Sequence, residues 1–211
     1  MTDILASLYT YCENHSKGLD PVLIELERAT HLQTTQPRML SGPLQGLFLS
    51  LISSLLKPKR ILEIGTFTGY SALCMAKGLP ENGVLITIDI NPETLVLART
   101  MVEKSGMEGK IQIMEGNAQQ IIPTLEGQFD LVFIDADKEN YQNYYHMVRH
   151  RVPTGGLIIV DNMLWSGKVL DQHKDAKTKI IDDLNIIINQ DKGVENVLLP
   201  LRDGLHIVRI K

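Results

Sequence analysis

The sequence predicts an α/β fold: a mainly parallel, seven-stranded sheet with helices on both faces and a C-terminal hairpin. Three observations predict it. From residue 60 onward, short β-rich runs alternate with longer segments of helical period, the texture of βαβ units. These runs are apolar almost throughout, as strands are when helices cover both faces of a sheet. The last two runs are joined by Arg202-Asp203-Gly204, a short glycine-containing connection that reads as a hairpin. One strand of the final pair should therefore run antiparallel to the rest.

Taken in order, residues 1–58 read as helical, with breaks near Gln36-Pro37 and Gly42-Pro43, and form a cap over one end of the sheet. Within them the most apolar stretch, 47–56, contains three serines and has half of the ~20 residues a membrane span needs, so it reads as a buried helix. Strands follow at 60–64, 84–88, 111–114, 131–134 and 157–160. Between them a helix is expected over 71–79. Another is expected over 93–105, entered through Pro92, with Leu95, Ala98, Met101 and Val102 on one face. A last helix near 176–189 precedes the hairpin strands at 197–201 and 205–210. The chain is read as one domain, 1–211, with a helical cap region (1–58) and a core (59–211).

Composition narrows the function. A net charge of −4 over 211 residues argues against broad, non-specific nucleic-acid binding. Cys12 and Cys74 are the only cysteines, which excludes a disulfide framework or a Cys-rich zinc site and fits a reducing, cytoplasmic setting. Met1-Thr2-Asp3 lacks the basic start of a signal peptide, and no membrane association is expected.

The stretch 62–71 holds the first chemical signal. An apolar strand runs into a loop with Gly65 and Gly69, and a helix follows, so its free N–H groups face whatever the loop approaches. Phe67 stands where a dinucleotide fingerprint needs its second glycine, which disfavours a pyrophosphate and fits a nucleoside ligand without one. Asp89, at the end of the second strand, can accept both hydroxyls of a ribose. Taken alone, the glycines equally fit an ordinary βα turn, and Asp89 a helix cap. Glu63 is harder to set aside: an acid inside an apolar strand is costly without a partner, and a cationic sulfonium amino acid is a natural one.

Two further strand ends carry oxygen donors, in 133–138 and 159–162. Asp135, Asp161 and Asn162 would meet beyond the carboxyl ends of neighbouring strands and make a hard site for Mg²⁺, Mn²⁺ or Ca²⁺. His146 and His150, spaced i, i+4, could in principle share a zinc ion, but no Glu follows His146 and Arg149 adjoins them, so they read as solvated helix residues.

Together these residues resemble the cation-dependent O-methyltransferases typified by plant caffeoyl-CoA O-methyltransferase, with animal catechol O-methyltransferase as a more distant relative. The resemblance runs through residues 8–9, 39–41, 62–71, 88–91, 133–141, 161–167 and 199–204, and the joined pattern of 133–141 with 161–167 carries most of its specificity. It implies a class I methyltransferase (Rossmann-like) fold, S-adenosylmethionine as cofactor and, usually, a homodimer. It also implies that Met39 and Ser41 lie against the cofactor and that Glu63 holds its amino group. Gly65, Thr66 and Ser71 would line the amino-acid portion, Asp89 would bind the ribose, Ala118 would contact the adenine, and Asp137 would complete the shell. Asp135, Asp161 and Asn162 match the metal ligands, and Lys138, working beside Asp135, matches the general base.

Two departures direct the choice of acceptor. The N-terminal extension with a substrate-contacting Lys in the plant enzymes has no counterpart here, and their Asn after the Leu-Trp pair is Ser166. A phenolic ortho-diphenol such as catechol or caffeate is therefore expected rather than a CoA thioester. The alternative within the family is methylation of 5-hydroxyuridine in tRNA, which needs a basic entrance that Lys57, Lys59 and Arg60, or Arg149 and Arg151, could supply.

Overall fold

A computed structural model describes residues 2–18 and 20–211. Seven strands form one sheet: β1 (Arg60–Ile64), β2 (Val84–Asp89), β3 (Ile111–Glu115), β4 (Leu131–Ile134), β5 (Leu157–Val160), β6 (Val194–Leu199) and β7 (Leu205–Ile210). Their order is β3-β2-β1-β4-β5-β7-β6. The pairs among β1 to β5 are all parallel, and β7 alone is inverted, antiparallel to both β5 and β6. The expected antiparallel strand is thus β7. Its partner β6 begins three residues before the expected run and stops at Leu199, because Pro200 has no N–H for the ladder.

The strand order reverses between β1 and β4, and an open α/β sheet has its ligand crevice at such a switch point. Period-two alternation separates two cores. On one face Leu62, Ile64, Val132, Ile134 and Ile158 pack against α7 (Tyr141–Arg149) and α8 (Ala176–Gln190). On the other, Ile61, Leu85, Leu131 and Phe133 meet α4 (Tyr70–Ala76) and α5 (Pro92–Lys104). A short helix, α6 (Ala118–Ile121), follows β3.

The N-terminal region is helical, as α1 (Thr2–Asn14), α2 (Pro21–Gln33) and α3 (Gly42–Leu56), but it is more than an end cap. Leu23, Leu26 and Leu49 belong to the same core as α4 and the sheet. The connection between α2 and α3 overhangs the strand ends, and Tyr9 of α1 joins it there. Two expectations for α3 also change. With the short turn before it, the helical run 37–56 reaches 20 residues at mean hydropathy 1.5, which by length and composition alone suffices to cross a membrane. It is not buried all round either: Gln45, Gly46, Leu49 and Ser53 face inward, while Leu51 and Leu55 are exposed.

Candidate active site

A cleft of about 1360 Å³ lies over the carboxyl ends of β1, β2, β4 and β5. Ligand sites usually occupy ~300–1,000 Å³, so this one has room for a cofactor and an acceptor together. Met39, Ser41, Gly65, Thr66, Ser71, Asp89, Ala118, Asp135, Asp137, Lys138, Asp161 and Asn162 all line it. Glu63 lies just beneath, fully buried in β1.

At the first end, Glu63 alternates with Ile61 on the α4 side of the sheet, directly beside Thr87 in the strand register. The Thr87 hydroxyl donates to its Oε2 at 2.5 Å and also pairs with the Thr66 hydroxyl at 2.5 Å. The other oxygen, Oε1, is buried without a hydrogen-bond partner. Burial pushes this carboxyl up to about 8, and the charges of Asp135 and Asp89 add to the shift against the pull of nearby Ser71 and Thr87. A buried acid with an unpartnered oxygen and acidic neighbours is a receptor for a cation. An amino-acid ammonium group fits it.

The glycine loop is shaped by the protein as much as by a ligand. Gly65 has φ +101°, and a Cβ there would lie 1.8 Å from the carbonyl oxygen of Asp135. The glycine therefore lets the β1 loop touch the β4 loop, a demand of the fold itself. Phe67 holds φ +50°, rare for a bulky residue, and its N–H donates to Asp89 Oδ2 at 2.7 Å. Asp89 Oδ1 accepts from the Asn91 N–H at 2.9 Å, while Asn91 itself caps α5. Asp89 is thus not the helix cap. It is held by two backbone donors and keeps lone pairs toward the cleft. The α2 helix braces this loop through a buried bond from Thr30 to Thr68 at 3.0 Å.

At the second end, Lys138 lies on the turn after β4, and its Nζ donates to Asp135 Oδ1 at 3.1 Å and Asn162 Oδ1 at 2.6 Å. It also donates to the Tyr141 hydroxyl and sits 4.4 Å from that ring's centre. Two of the three expected metal ligands thus converge on one positive charge. The third, Asp161, is 2% exposed; its Oδ1 takes the Asn162 N–H at 2.6 Å and its Oδ2 takes Gln45 Nε2 at 2.6 Å. Burial and the neighbouring Asp135 raise its carboxyl to about 7. Asn162 adopts φ +59°, a left-handed conformation that Asn tolerates better than most residues, and this aims its amide at the lysine. Asp135 Oδ1 and Asn162 Oδ1 meet at the lysine with Asp161 adjoining, and the chemistry of these hard oxygens fits a divalent cation. Among the described residues no group of three or more His, Cys, Asp or Glu side chains is placed to hold a metal, so the site depends on the Asn amide. His146, on α7, and His150, just after it, are both exposed.

Asp137 accepts from the Tyr144 hydroxyl at 2.6 Å and from Asn140, which fixes it beside Ala118 in the cleft wall. Several contributors escaped the sequence reading: Thr87, Gln45, Tyr141 and Tyr144. Thr87 and Gln45 carried a usable signal, since each is a polar residue inside an apolar run, as Glu63 is. The expected basic entrance is at the wrong end. Lys57 and Lys59 precede β1 and Arg60 opens it, at its amino end. Arg60 and Arg151 lie over Phe129 at 5.0 and 5.3 Å, and Arg149 pairs with Asp191 at 2.7 Å. The cations at the cleft mouth are Arg38 and Arg202 instead.

A doubly wound sheet with a nucleoside-type crevice, an ammonium receptor and an adjoining oxygen cradle defines a class I methyltransferase. Residues 13–211 match the family model described as O-methyltransferase. Caffeoyl-CoA O-methyltransferase 1 from Eucalyptus globulus is 37% identical over 177 residues, covering 78% of this chain and 72% of that protein. The SAH-bound methyltransferase PaMTH1 from Podospora anserina superposes with a TM-score of 0.91 at 28% identity, covering 99% of this chain and 96% of that one. The O-methyltransferase TomG from Streptomyces achromogenes, solved with SAM, gives 0.88 at 27% identity, covering 97% and 96%. The chain belongs to the O-methyltransferase family and is an S-adenosylmethionine-dependent enzyme.

Proposed function

We propose that the enzyme methylates one hydroxyl of an ortho-diphenol, a catechol-like small molecule, with a divalent cation held by Asp135, Asp161 and Asn162. Mg²⁺ is the first candidate, with Mn²⁺ and Ca²⁺ behind it. The observation that carries this reading is the cradle in which Asp135 Oδ1 and Asn162 Oδ1 already converge on one positive charge. When bound, such a cation favours the phenolate and orients both oxygens of the diol. The side chains do the rest. Glu63 takes the cofactor's ammonium, Asp89 takes its ribose hydroxyls, and Met39, Ser41, Thr66, Ser71, Ala118 and Asp137 enclose the remainder. An isolated phenol has a pKa near ~10, so little anion exists at neutral pH without help. Lys138, once out of the cradle and in its neutral amine form, takes the acceptor's proton to become an ammonium, and the Tyr141 hydroxyl remains within its reach. Attack requires the reacting atoms at ~3–3.5 Å, so orientation matters as much as proton transfer. In this reading the enzyme works in the cytoplasm as a homodimer.

Chelation tests it. Excess chelator should abolish turnover of catechol, Mg²⁺ or Mn²⁺ should restore it, and a phenol without the second hydroxyl should react poorly. Full turnover in chelator with metal content checked by elemental assay, or equal rates for monophenols and ortho-diphenols, would remove the cation from the mechanism.

A further inference from the structure

The mouth of the cleft carries two cations that neither the cofactor nor the oxygen cradle uses. Arg202 sits in the turn between β6 and β7, and Arg38 in the connection between α2 and α3. Both line the cleft, together with Tyr9, Trp165 and Ser166. An Arg202 guanidinium nitrogen donates to the Arg38 carbonyl at 3.4 Å, so the two residues face each other across the mouth. Among the described residues neither guanidinium takes part in an ion pair. Of the nearby acids, Asp203 Oδ1 takes the Ser166 N–H, while Glu13 and Glu27 share with the two arginines a smaller cavity of about 300 Å³ without forming an ion pair with either.

Arg202 is also held in an unfavourable backbone conformation. Its φ is +50°, in the left-handed region where glycine is the unstrained choice. The Tyr9 hydroxyl fixes it there, accepting the Arg202 N–H at 2.5 Å. The adjoining turn docks on the segment that follows Asn162: the Met163 N–H donates to the Gly204 carbonyl at 3.0 Å and the Leu164 N–H to the Asp203 carbonyl at 2.8 Å. A strained, anchored arginine is therefore tied by two backbone bonds to the strand end that carries the oxygen cradle. Observed strain of this kind points to a use for the side chain.

We infer that Arg202, assisted by Arg38, forms an anion subsite that recognises a carboxylate on the acceptor, remote from the hydroxyl that is methylated. This rests on the diphenol reading above and narrows it, to diphenolic acids over neutral catechols. The planar fork of Arg matches a carboxylate with two parallel N–H donors. The deep end of the cleft is lined by Asp89, Asp135, Asp137 and Asp161, so an acid would enter with its anionic end outward, toward the only cations at the mouth that the described residues provide. That orientation leaves the diol at the cradle.

The test compares caffeate with its neutral methyl ester as acceptors, using the wild-type enzyme, Arg202→Gly, Arg202→Lys and Arg38→Gln. Arg202→Gly is the informative variant because glycine suits the left-handed turn, so thermal stability should hold or rise while the side chain is lost. The wild type should prefer the acid by about tenfold or more in kcat/KM, mainly through KM, as expected for a charge-assisted, paired contact. Arg202→Gly should bring that ratio close to one, and Arg202→Lys and Arg38→Gln should fall between. Caffeate binding in the presence of SAH, measured by calorimetry, should weaken about tenfold in Arg202→Gly. A wild-type enzyme that treats acid and ester alike, or an Arg202→Gly enzyme that keeps the preference, overturns the inference. If no diphenol is methylated, the acceptor reading falls, and the calorimetry alone decides the subsite: equal affinities in wild type and Arg202→Gly end it. Turnover of a 5-hydroxyuridine RNA that depends on Arg202, without caffeate binding, would reassign the pair to phosphate.

Discussion

Glu63 has one oxygen satisfied by Thr87, one with no partner, and Asp89 and Asp135 as charged neighbours. With its folded value near 8, the group is mostly protonated at pH 7 before the cofactor arrives. An ammonium group docking there favours the carboxylate, so cofactor binding should release protons at pH 7 and far fewer at pH 9. Calorimetry in two buffers of different ionisation enthalpy measures this directly, and Glu63→Gln should abolish the release; no proton linkage in the wild type would mean the ammonium binds elsewhere. At this scale the sequence was informative wherever a residue broke its local pattern. Glu63 is an acid in an apolar strand, and Asp135, Asp161 and Asn162 stand at strand ends. The resting place of Lys138 was not legible, because four flexible methylenes give Nζ a wide reach. Arg38 and Arg202 were not legible either, since an exposed arginine reads alike at either end of the sheet.

The hairpin shows the same contrast between elements. The glycine-containing turn announced an antiparallel pair, yet the starting point of β6 could not be read from an amphipathic run that includes exposed Glu195 and Asn196. What fixes β6 and β7 is His206, buried on β7, with its two ring nitrogens beside Asn185 of α8 at 2.8 Å and Asn196 of β6 at 3.1 Å. Burial lowers this imidazole to about 4 from an ordinary 6.5. The unfolded chain therefore binds the proton more readily between those values, so the stability contributed by neutral His206 is complete above pH 6.5 and is lost as pH falls toward 4. At pH 5 the loss should be about 2 kcal/mol. Glu63 and Asp161, raised by burial, act in the opposite direction over the same range. His206 is accordingly read as a difference between proteins: the change in stability from pH 7 to pH 5, measured by urea unfolding, should be less favourable in the wild type than in His206→Gln by about 2 kcal/mol. An unchanged pH response in that variant would show that the imidazole is free to ionise in the folded state. The α3 helix illustrates the same limit, because its apolar run gave no hint of which leucines the protein leaves exposed.

Across the whole molecule, the N-terminal helices and the sheet share one core and meet again at the Gln45–Asp161 bond. We expect a single cooperative unfolding transition, with far-ultraviolet circular dichroism and the fluorescence of Trp165, the only tryptophan, changing together. Saturation with SAH at a hundred times its Kd should stabilise both signals equally, by about 2.7 kcal/mol. Two separated transitions, or stabilisation of one signal alone, would divide the chain near residue 58. The alternation of strands and helices made the sheet legible in advance, whereas the packing of residues 1–58 depended on contacts far apart in the chain.

The contact between Gly65 and the Asp135 carbonyl has a consequence for how such an enzyme changes over time. The glycine loop after β1 and the loop after β4 that carries Asp135 are in backbone contact, with no room for a side chain at Gly65. In the proposed reading, donor and acceptor are therefore spaced by main chain, and substitutions elsewhere have little leverage over that spacing. At the rim, built from the 34–41 connection and the 200–204 turn, Gly204 is held as closely against Leu164, but the side chains of Arg38 and Arg202 border the open cleft. New acceptors can be acquired there, one side chain at a time, while the distance over which the methyl group travels is inherited unchanged.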